Sequence, residues 1–143
     1  MKACYLDTNV LIALKNEESS FHSKAVLLLE NLLQNGYLLI VSSLVLDEFL
    51  YVVTYFLKIK KEKNLYKKLN KNLKDVLQIV KVINPPTSKK NQLQVVELME
   101  KYNLNPRDAF HLLTILFAKI EACATFDKDF AEVEKKKLIK ILN

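Results

Sequence analysis

Short apolar runs alternate along this chain with longer segments in which apolar residues recur at helical spacing. Five of the runs are too short for a stable helix, which favours strands. They lie at residues 2–6, 37–41, 80–83, 122–126 and 138–142. The pattern therefore predicts five strands separated by helical segments.

The first two helices lie between the first and second of these strands. The apolar segment 10–14 predicts a buried first helix directly after the first strand. A second helix is expected to begin at a cap supplied by Ser19 or Ser20, because a serine hydroxyl accepts hydrogen bonds from the first free N–H groups. Gly36 is placed to end it, since glycine readily adopts the left-handed conformation found at helix C-termini.

Four further helices are predicted between residues 42 and 120. They are a third helix capped by Ser42 or Ser43, a lysine-rich amphipathic helix at 62–78, a helix around 93–98 and a helix from 106 to about 120. The last has the strongest local signal in the chain. Asn105 is a good N-cap residue, and Pro106 fits the first helical position, where no N–H is needed.

Strands that alternate with helices indicate a parallel sheet covered by helices on both faces. The chain has 143 residues, of which 50% are hydrophobic, and it contains no repeat and no internal linker. That is enough apolar material for one core. We therefore expect a single domain at 1–143, an α/β/α sandwich around a central parallel five-stranded sheet.

Composition excludes several classes of protein. Gly36 is the only glycine, so the glycine-rich turns of P-loop and dinucleotide-binding sites are missing. No apolar run approaches the roughly 18 residues needed to span a bilayer, so no membrane association is expected. Cys4 and Cys123 lie in apolar segments without the spacing of a zinc site or a disulfide framework, which predicts buried thiols in a reducing cytoplasm.

The charge of the chain favours a polyanionic partner. The formal net charge is +6, and Arg107 is the only arginine, so almost all of the positive charge is lysine. Lysine suits contact with phosphate groups better than bidentate recognition of bases. The lysines between 58 and 74 could contact an RNA backbone, although a solvated helix face is an equally good interpretation.

Four acids are candidates for a common site. Asp7 and Asp127 follow two predicted strands, and sites in parallel sheets form at the carboxyl ends of the strands. Glu48 lies in the second turn of the helix that follows the second strand, and Asp108 lies in the first turn of the helix that precedes the fourth strand, so both belong to that same edge of the sheet. Clustered carboxylates repel unless a cation neutralises them, and oxygen ligands without a His or Cys pattern favour Mg²⁺ or Mn²⁺.

Each of these acids except Asp7 also has an ordinary interpretation. Asp108 could complete the cap of its helix. Glu48, beside Asp47, could be a solvated helix charge. Asp127 competes with Asp129, and either could cap the segment that follows. Asp7 is the hardest to explain in this way, because an unpartnered acid at the end of a buried strand is costly.

The two histidines predict no separate active site. His111 lies one turn after Asp108 and could be a general base, but no second histidine is near it in the sequence. We interpret it as a hydrogen-bonded structural residue. His22 is expected on the surface.

Four segments together resemble a known family, the PIN-domain nucleases, and within it the toxin component of VapBC-type toxin–antitoxin pairs. They are LDTNVLI at 6–12, Ser43 with Glu48 five residues later, RDAFH at 107–111 and TFDKDF at 125–130. Each segment is weak evidence alone. Their order and the length of the chain make the resemblance specific, and it covers the whole chain.

The resemblance implies a strand order of 3-2-1-4-5 and a Mg²⁺- or Mn²⁺-dependent endoribonuclease. The matching acids are Asp7, Glu48, Asp108 and Asp127, which in the family hold one or two ions. Residues that match Asn9, Ser43 and Thr125 support these acids through hydrogen bonds, and the importance of the position of Asp129 varies. The resemblance also implies an RNA substrate, a homodimer and a cognate antitoxin. The helix at 62–78 falls in a variable region of the family.

On this interpretation Asp7 and Asp127 bind metal directly, Asp108 binds directly or through water, and Glu48 orients a water molecule or takes its proton.

Three other functions remain possible interpretations of the sequence. A phosphatase of the haloacid dehalogenase type would need an aspartate at the position of Asn9. A two-component receiver domain would need a paired acid before the first strand and a lysine after the last strand of the site, neither of which is clear. An RNA-binding or scaffold protein of the same fold, without activity, is the non-enzymatic alternative.

Overall fold

A parallel five-stranded sheet forms the middle layer of the protein. In the computed structural model, which describes residues 2–143, the strands are β1 (Ala3–Leu6), β2 (Leu38–Ser42), β3 (Lys81–Ile83), β4 (Ala122–Ala124) and β5 (Lys140–Leu142). Their order across the sheet is β3-β2-β1-β4-β5, and every neighbouring pair is parallel. The predicted fold class and the strand order that the resemblance implied are both confirmed.

Seven α-helices surround the sheet in the described part of the chain. They are α1 (Thr8–Lys15), α2 (His22–Gln34), α3 (Ser43–Ile59), α4 (Leu65–Leu77), α5 (Lys89–Tyr102), α6 (Pro106–Phe117) and α7 (Ala131–Lys135). Helix α1 packs against α2 and α3, α3 packs against α4, and α5 pairs with α6. Among residues 2–143, no helix combines the length and the apolar character that crossing a bilayer requires.

The centre of the core is β1, which pairs with β2 on one side and β4 on the other. Tyr5 lies opposite Ile40 in β2 and Cys123 in β4. Cys4, Tyr5 and Leu6 are fully buried, as expected for a strand covered on both faces. Because the strands are parallel, the residues that follow β1, β2 and β4 emerge at the same edge of the sheet.

Helix α2 begins later than predicted. Neither Ser19 nor Ser20 is its N-cap; the helix starts at His22, and Phe21 holds the cap position without a side-chain hydrogen bond. Ser19 closes the preceding turn instead, with its hydroxyl accepting from the Phe21 N–H at 3.2 Å. Ser19 therefore stabilises the turn that precedes α2 and does not cap the helix itself. His22 is half-buried rather than on the surface, and its Nδ1 lies 2.9 Å from the Ala13 carbonyl oxygen.

The predicted end of α2 is confirmed. Gly36 has a φ of +73°, a conformation that residues with a Cβ rarely adopt. The Tyr37 N–H donates to the Leu32 carbonyl at 3.0 Å, and the Gly36 N–H donates to the Leu33 carbonyl at 3.0 Å. These two bonds form a Schellman motif, which satisfies carbonyls at the end of the helix and turns the chain into β2.

The caps of α3 and α6 differ in how their side chains are used. Ser42, rather than Ser43, caps α3, with its hydroxyl accepting from the Val45 N–H at 3.3 Å. Asn105 holds the predicted N-cap position of α6, but its side chain makes no cap hydrogen bond. Its amide donates to Asp129 at 3.2 Å instead, so this side chain links α6 to the segment after β4.

The lysine-rich segment forms α4, and it starts three residues after the predicted position. A 3₁₀ turn at Lys128–Phe130 and the short helix α7 follow β4. The sequence indicated a helix here only as one that Asp127 or Asp129 could cap, and it gave neither its bounds nor the 3₁₀ turn. Both are too short to show helical periodicity. Cys4 and Cys123 are free and buried, as predicted.

Candidate active site

A cleft of about 320 Å³ opens at the edge of the sheet where β1 and β4 end. All four predicted acids line it: Asp7, Glu48, Asp108 and Asp127. They come from the end of β1, the second turn of α3, the first turn of α6 and the segment after β4. The parallel sheet thus brings together carboxylates that are separated by up to 120 residues in sequence.

Asp7 is buried at the base of the cleft, and both of its carboxylate oxygens accept hydrogen bonds. Oδ1 accepts from the Thr8 N–H at 2.7 Å, so Asp7 also caps α1. Oδ2 accepts from the Asn9 amide at 2.8 Å and the Thr125 hydroxyl at 2.7 Å. Burial raises the pKa of Asp7, and His111 and the Thr125 and Thr8 donors oppose that rise because they stabilise the ionised form. Asp7 is therefore held rigidly by both of its oxygens.

Asn9 and Thr125 connect the ends of β1 and β4. The Asn9 side chain accepts from the Phe126 N–H at 3.1 Å and donates to the Thr125 hydroxyl at 3.1 Å. The Thr125 oxygen in turn accepts from the Asp127 N–H at 3.0 Å. These bonds fix the backbone of Asp127 relative to Asp7, which is the arrangement expected if Asn9 and Thr125 support the acids.

Asp129 joins the candidate site. Carboxylate oxygens of Asp108, Asp127 and Asp129 lie within 4.8 Å of one another, a spacing that could hold a metal ion. The Asp129 N–H donates to Asp127 Oδ1 at 2.9 Å, which keeps these two acids adjacent. Asp7 lines the same cleft but is not a member of this tight group. Sequence reasoning left the role of Asp129 open, because its position depends on the unpredicted 3₁₀ turn.

The electrostatics of the cleft favour a cation. Burial, together with the negative charges of Asp127 and Asp7, raises the pKa of Asp108 to about 6. The part of this rise that comes from the neighbouring carboxylates reflects negative potential, which a bound cation would neutralise. Donors that are all carboxylate oxygens match the preference of hard divalent ions such as Mg²⁺ and Mn²⁺. The residues present therefore fit such an ion.

Glu48 is held by three side chains in the cleft. Oε2 accepts from the Thr8 hydroxyl at 3.1 Å, and Oε1 lies 2.9 Å from His111 Nε2. Arg107 Nε is 3.5 Å from the same Oε1. Asp47, its neighbour in sequence, also lines the cleft but is exposed. The side chain of Glu48, only 12% exposed, is thus directed into the site rather than into solvent.

A buried chain of hydrogen bonds lies behind Glu48. The Tyr5 hydroxyl lies 2.8 Å from His111 Nδ1 and 2.7 Å from the Ser42 hydroxyl. Because a carboxylate only accepts hydrogen bonds, His111 Nε2 is the donor to Glu48. In a neutral imidazole Nδ1 then accepts from Tyr5, and Tyr5 accepts from Ser42. Each hydrogen bond in the chain thus has one donor and one acceptor, running from Ser42 through Tyr5 and His111 to Glu48.

Three of these side chains were missed or underestimated in the sequence. His111 was interpreted as structural; it is buried and hydrogen-bonded, but it also contacts a candidate catalytic acid. Thr8 and Arg107 were not singled out, although each is adjacent in sequence to a predicted acid. The supporting role implied for Ser43 has no counterpart, because Ser43 is exposed and Ser42 is the buried serine that enters the network.

Comparison with known proteins places this geometry in a family. The PIN domain family model matches residues 4–136 of the chain. Ribonuclease VapC6 of Methanocaldococcus jannaschii is 25% identical over 150 residues, covering 95% of this chain and 95% of that protein.

Solved structures share the fold at low sequence identity. VapC20 of Mycobacterium tuberculosis, described as a sarcin-ricin loop cleaving toxin, aligns with a TM-score of 0.66 at 17% identity, covering 91% of this chain and 94% of that one. FitAcB of Neisseria gonorrhoeae aligns with a TM-score of 0.68 at 18% identity, covering 98% and 96%. VapBC2 of Rickettsia felis, bound to a DNA fragment from its promoter, aligns with a TM-score of 0.66 at 19% identity, covering 99% and 98%.

Proposed function

The chain belongs to the PIN domain family, and we propose that it is a metal-dependent endoribonuclease that acts as the toxin of a toxin–antitoxin pair. The observation that carries the proposal is the convergence of Asp7, Glu48, Asp108 and Asp127 on one cleft. A relative named as a ribonuclease and a structural neighbour described as a sarcin-ricin loop cleaving toxin support RNA as the substrate.

Mg²⁺ or Mn²⁺ is the proposed cofactor. Asp108 and Asp127 are the residues best placed to hold it, with Asp129 beside them and Asp7 at the buried end of the cleft. When bound, a divalent ion supplies Lewis-acid activation of water and neutralises charge on the phosphate. Both effects need several carboxylates held close together, which is the property that the ends of β1, β4 and α6 provide.

Glu48 is the proposed proton acceptor. Its two oxygens are anchored separately, Oε1 by His111 and Oε2 by Thr8, so the carboxylate has a fixed orientation in the cleft. A positioned carboxylate can take the proton of the attacking water as that water adds to phosphorus. The bond that breaks joins phosphorus to the 3′ oxygen, which departs with the bonding electrons and takes a proton from solvent water. The products then carry a 5′-phosphate and a 3′-hydroxyl.

Arg107 is placed to bind the phosphate. Its side chain is mostly exposed at the mouth of the cleft, and only its Nε is directed at Glu48. A guanidinium group carries five N–H donors in a planar arrangement, so donors remain for phosphate oxygens. We infer that Arg107 stabilises the charge that develops on the phosphate while Glu48 receives the proton.

The proposed partners are an antitoxin and a second copy of the chain. The antitoxin is implied by the resemblance to VapBC-type toxins. A homodimer is implied by the same resemblance, and Leu93 and Val96 in α5 and Phe117 in α6 are apolar side chains more than half exposed that such an interface could cover. We place the activity in the cytoplasm, because Cys4 and Cys123 are buried free thiols that need no oxidising compartment.

The test is incubation of the purified protein with labelled RNA in Mn²⁺, with and without excess EDTA. We expect fragments carrying 5′-phosphate and 3′-hydroxyl ends in Mn²⁺ and none in EDTA. RNA that is bound but not cleaved under all conditions would favour an inactive RNA-binding member of the fold and overturn the proposal. Cleavage that persists in EDTA would overturn the metal-dependent mechanism.

A further inference from the structure

Aromatic side chains flank the carboxylates on two sides. The first is Tyr51 in α3, one turn after Glu48, which lines the acidic cleft and is 74% exposed. Tyr55 follows one turn later on the same side of the helix and is also exposed. An exposed tyrosine ring beside a polar cleft leaves apolar surface in contact with water. The proposed roles of the four acids do not require such a ring.

The second aromatic surface lies beyond Asp127. A groove of about 520 Å³ adjoins the acidic cleft and shares Asn9, Ile12 and Asp127 with it. Phe21 lines this groove and stacks on Phe126, with ring centroids 5.1 Å apart and planes inclined by 28°. Phe21 remains 46% exposed despite that contact. The cleft and the groove are therefore contiguous, with Tyr51 lining the cleft and Phe21 lining the groove.

Positive charge accompanies the second surface. Lys128 lines the groove, and Lys24 Nζ lies 5.4 Å from the centre of the Phe126 ring. Grooves that bind single-stranded nucleic acid commonly combine lysines that follow the phosphates with aromatic rings that stack on the bases. The cleft and the groove together have both components, and the cleft is the section where the proposed chemistry occurs.

We propose that Tyr51 and Phe21 each stack on an unpaired nucleobase, one on either side of the scissile phosphate. This inference rests on the proposed ribonuclease function and adds two binding positions for bases to it. Stacking recognises the face of a base, which is available only where the base is unpaired, so these positions select single-stranded segments and tolerate different sequences. Each pocket is large enough for one planar ring system.

A nucleic acid suits the cleft and the groove better than a protein does. A protein interface would be expected to cover one contiguous apolar patch. Here the two rings are separated by Asn9, Asp127 and the other polar residues of the cleft, and a lysine borders the outer groove. Alternating apolar and polar surfaces of this kind match the alternation of bases and phosphates along a strand.

The first experiment is steady-state cleavage of an unstructured RNA in Mn²⁺ by Tyr51→Leu and Phe21→Leu. We expect KM to rise at least about fivefold in each, which corresponds to the lower end of about 1–3 kcal/mol per stacked base. Tyr51→Phe and Phe21→Tyr, which keep a ring, should retain nearly normal KM. Tyr66→Leu is the matched control, because Tyr66 is 80% exposed in α4, away from the cleft. Thermal unfolding of each variant confirms that it is folded.

The second experiment does not depend on catalysis. RNA substituted with 5-iodouridine is irradiated with the wild-type protein in Ca²⁺, and cross-linked peptides are mapped by mass spectrometry. We expect cross-links at Tyr51 and Phe21 and none at Tyr66. If RNA is cleaved but either leucine variant has a normal KM and its residue is not cross-linked, the inference is overturned while the proposed function stands.

Two further outcomes are distinguishable. Wild-type protein that cleaves no RNA but cross-links at both rings would overturn the proposed function and keep the two base-binding positions. Leucine variants whose sedimentation shows a changed oligomeric state, with unchanged KM, would assign these rings to a protein interface and overturn the inference.

Discussion

His111 Nε2 lies 2.9 Å from Glu48 Oε1, and the two residues are 63 positions apart in the sequence. The imidazole is buried, and its other nitrogen is held by the Tyr5 hydroxyl on the central strand. The orientation of the proposed proton acceptor is therefore set from the interior of the sheet. This relationship makes His111 a positioning residue, because it acts on the reaction through Glu48.

Substitutions at His111 should separate its two contacts. A glutamine can place its amide N–H near the position of Nε2 and keep the bond to Glu48, whereas an asparagine reaches only toward Tyr5. We expect kcat to fall about tenfold or more in His111→Asn and much less in His111→Gln, with KM little changed in both, since a positioned base contributes roughly 10²–10⁴-fold. Cleavage kinetics at a temperature far below the unfolding midpoint provide the measurement. Equal losses of kcat in the two variants would contradict this role.

Asp7→Asn should abolish RNA cleavage without unfolding the protein. The amide has nearly the same shape as the carboxylate and its oxygen can still accept from the Thr8 N–H, but it removes a negative charge from the base of the cleft. Its NH2 group then faces the Asn9 and Thr125 donors, so we expect a lower melting temperature with the fold retained. Far-ultraviolet circular dichroism should match the wild type, while the cleavage rate in Mn²⁺ falls to background. Activity that survives in protein stripped of metal and reloaded with Mn²⁺ would remove Asp7 from the site.

Metal-free protein should become more stable, relative to Asp108→Asn, as the pH is lowered from about 7 toward 5. The pKa of Asp108 is raised to about 6 in the fold, so the folded state binds a proton more tightly than the unfolded chain does. The stabilisation that this proton gives the fold is complete below the pKa of Asp108 in the unfolded chain, and it is lost as the pH rises through 6. At pH 7 the asparagine variant should be more stable by about 1 kcal/mol, a value reduced for the partial exposure of the site.

Urea unfolding of both proteins across this pH range, in EDTA, measures that difference. The pH-dependent contributions of all other acids are the same in the two proteins, so the difference in stability reports on position 108 alone. A stability gap that widens on acidification would have the wrong sign for a carboxyl with a raised pKa.

Mn²⁺ should raise the melting temperature at pH 7, and Asp129→Asn should weaken this effect more than Asp47→Asn does. Asp129 belongs to the group of acids within 4.8 Å of one another, whereas Asp47 lines the same cleft outside that group. Saturation at about 100 times the dissociation constant would stabilise the fold by about 2.7 kcal/mol. Thermal shift titrations give the apparent affinity of each variant. Indistinguishable titrations for the two variants would exclude Asp129 from the metal site.

The sequence alone determined the α/β class and most of the elements. Runs such as 2–6 and 37–41 are short, apolar and rich in residues that favour strands, which indicates buried strands. The signals at Gly36 and Pro106 depend on local backbone geometry. Asp7 could be singled out for the same reason, because a buried strand that ends in an acid requires partners for that acid. The order of the strands was implied only by resemblance to a family.

Tertiary structure alone decided which side chains meet. Two adjacent serines have the same capping chemistry, and in the fold it is Ser42 that caps α3 and also hydrogen-bonds to Tyr5 on the central strand. His111 became a partner of Glu48 because parallel strands bring α3 and α6 to the same edge of the sheet. Local sequence determines which backbone conformations are low in free energy for each segment. Distances between remote side chains depend instead on how the sheet and the helices pack, and that packing is determined by residues throughout the core.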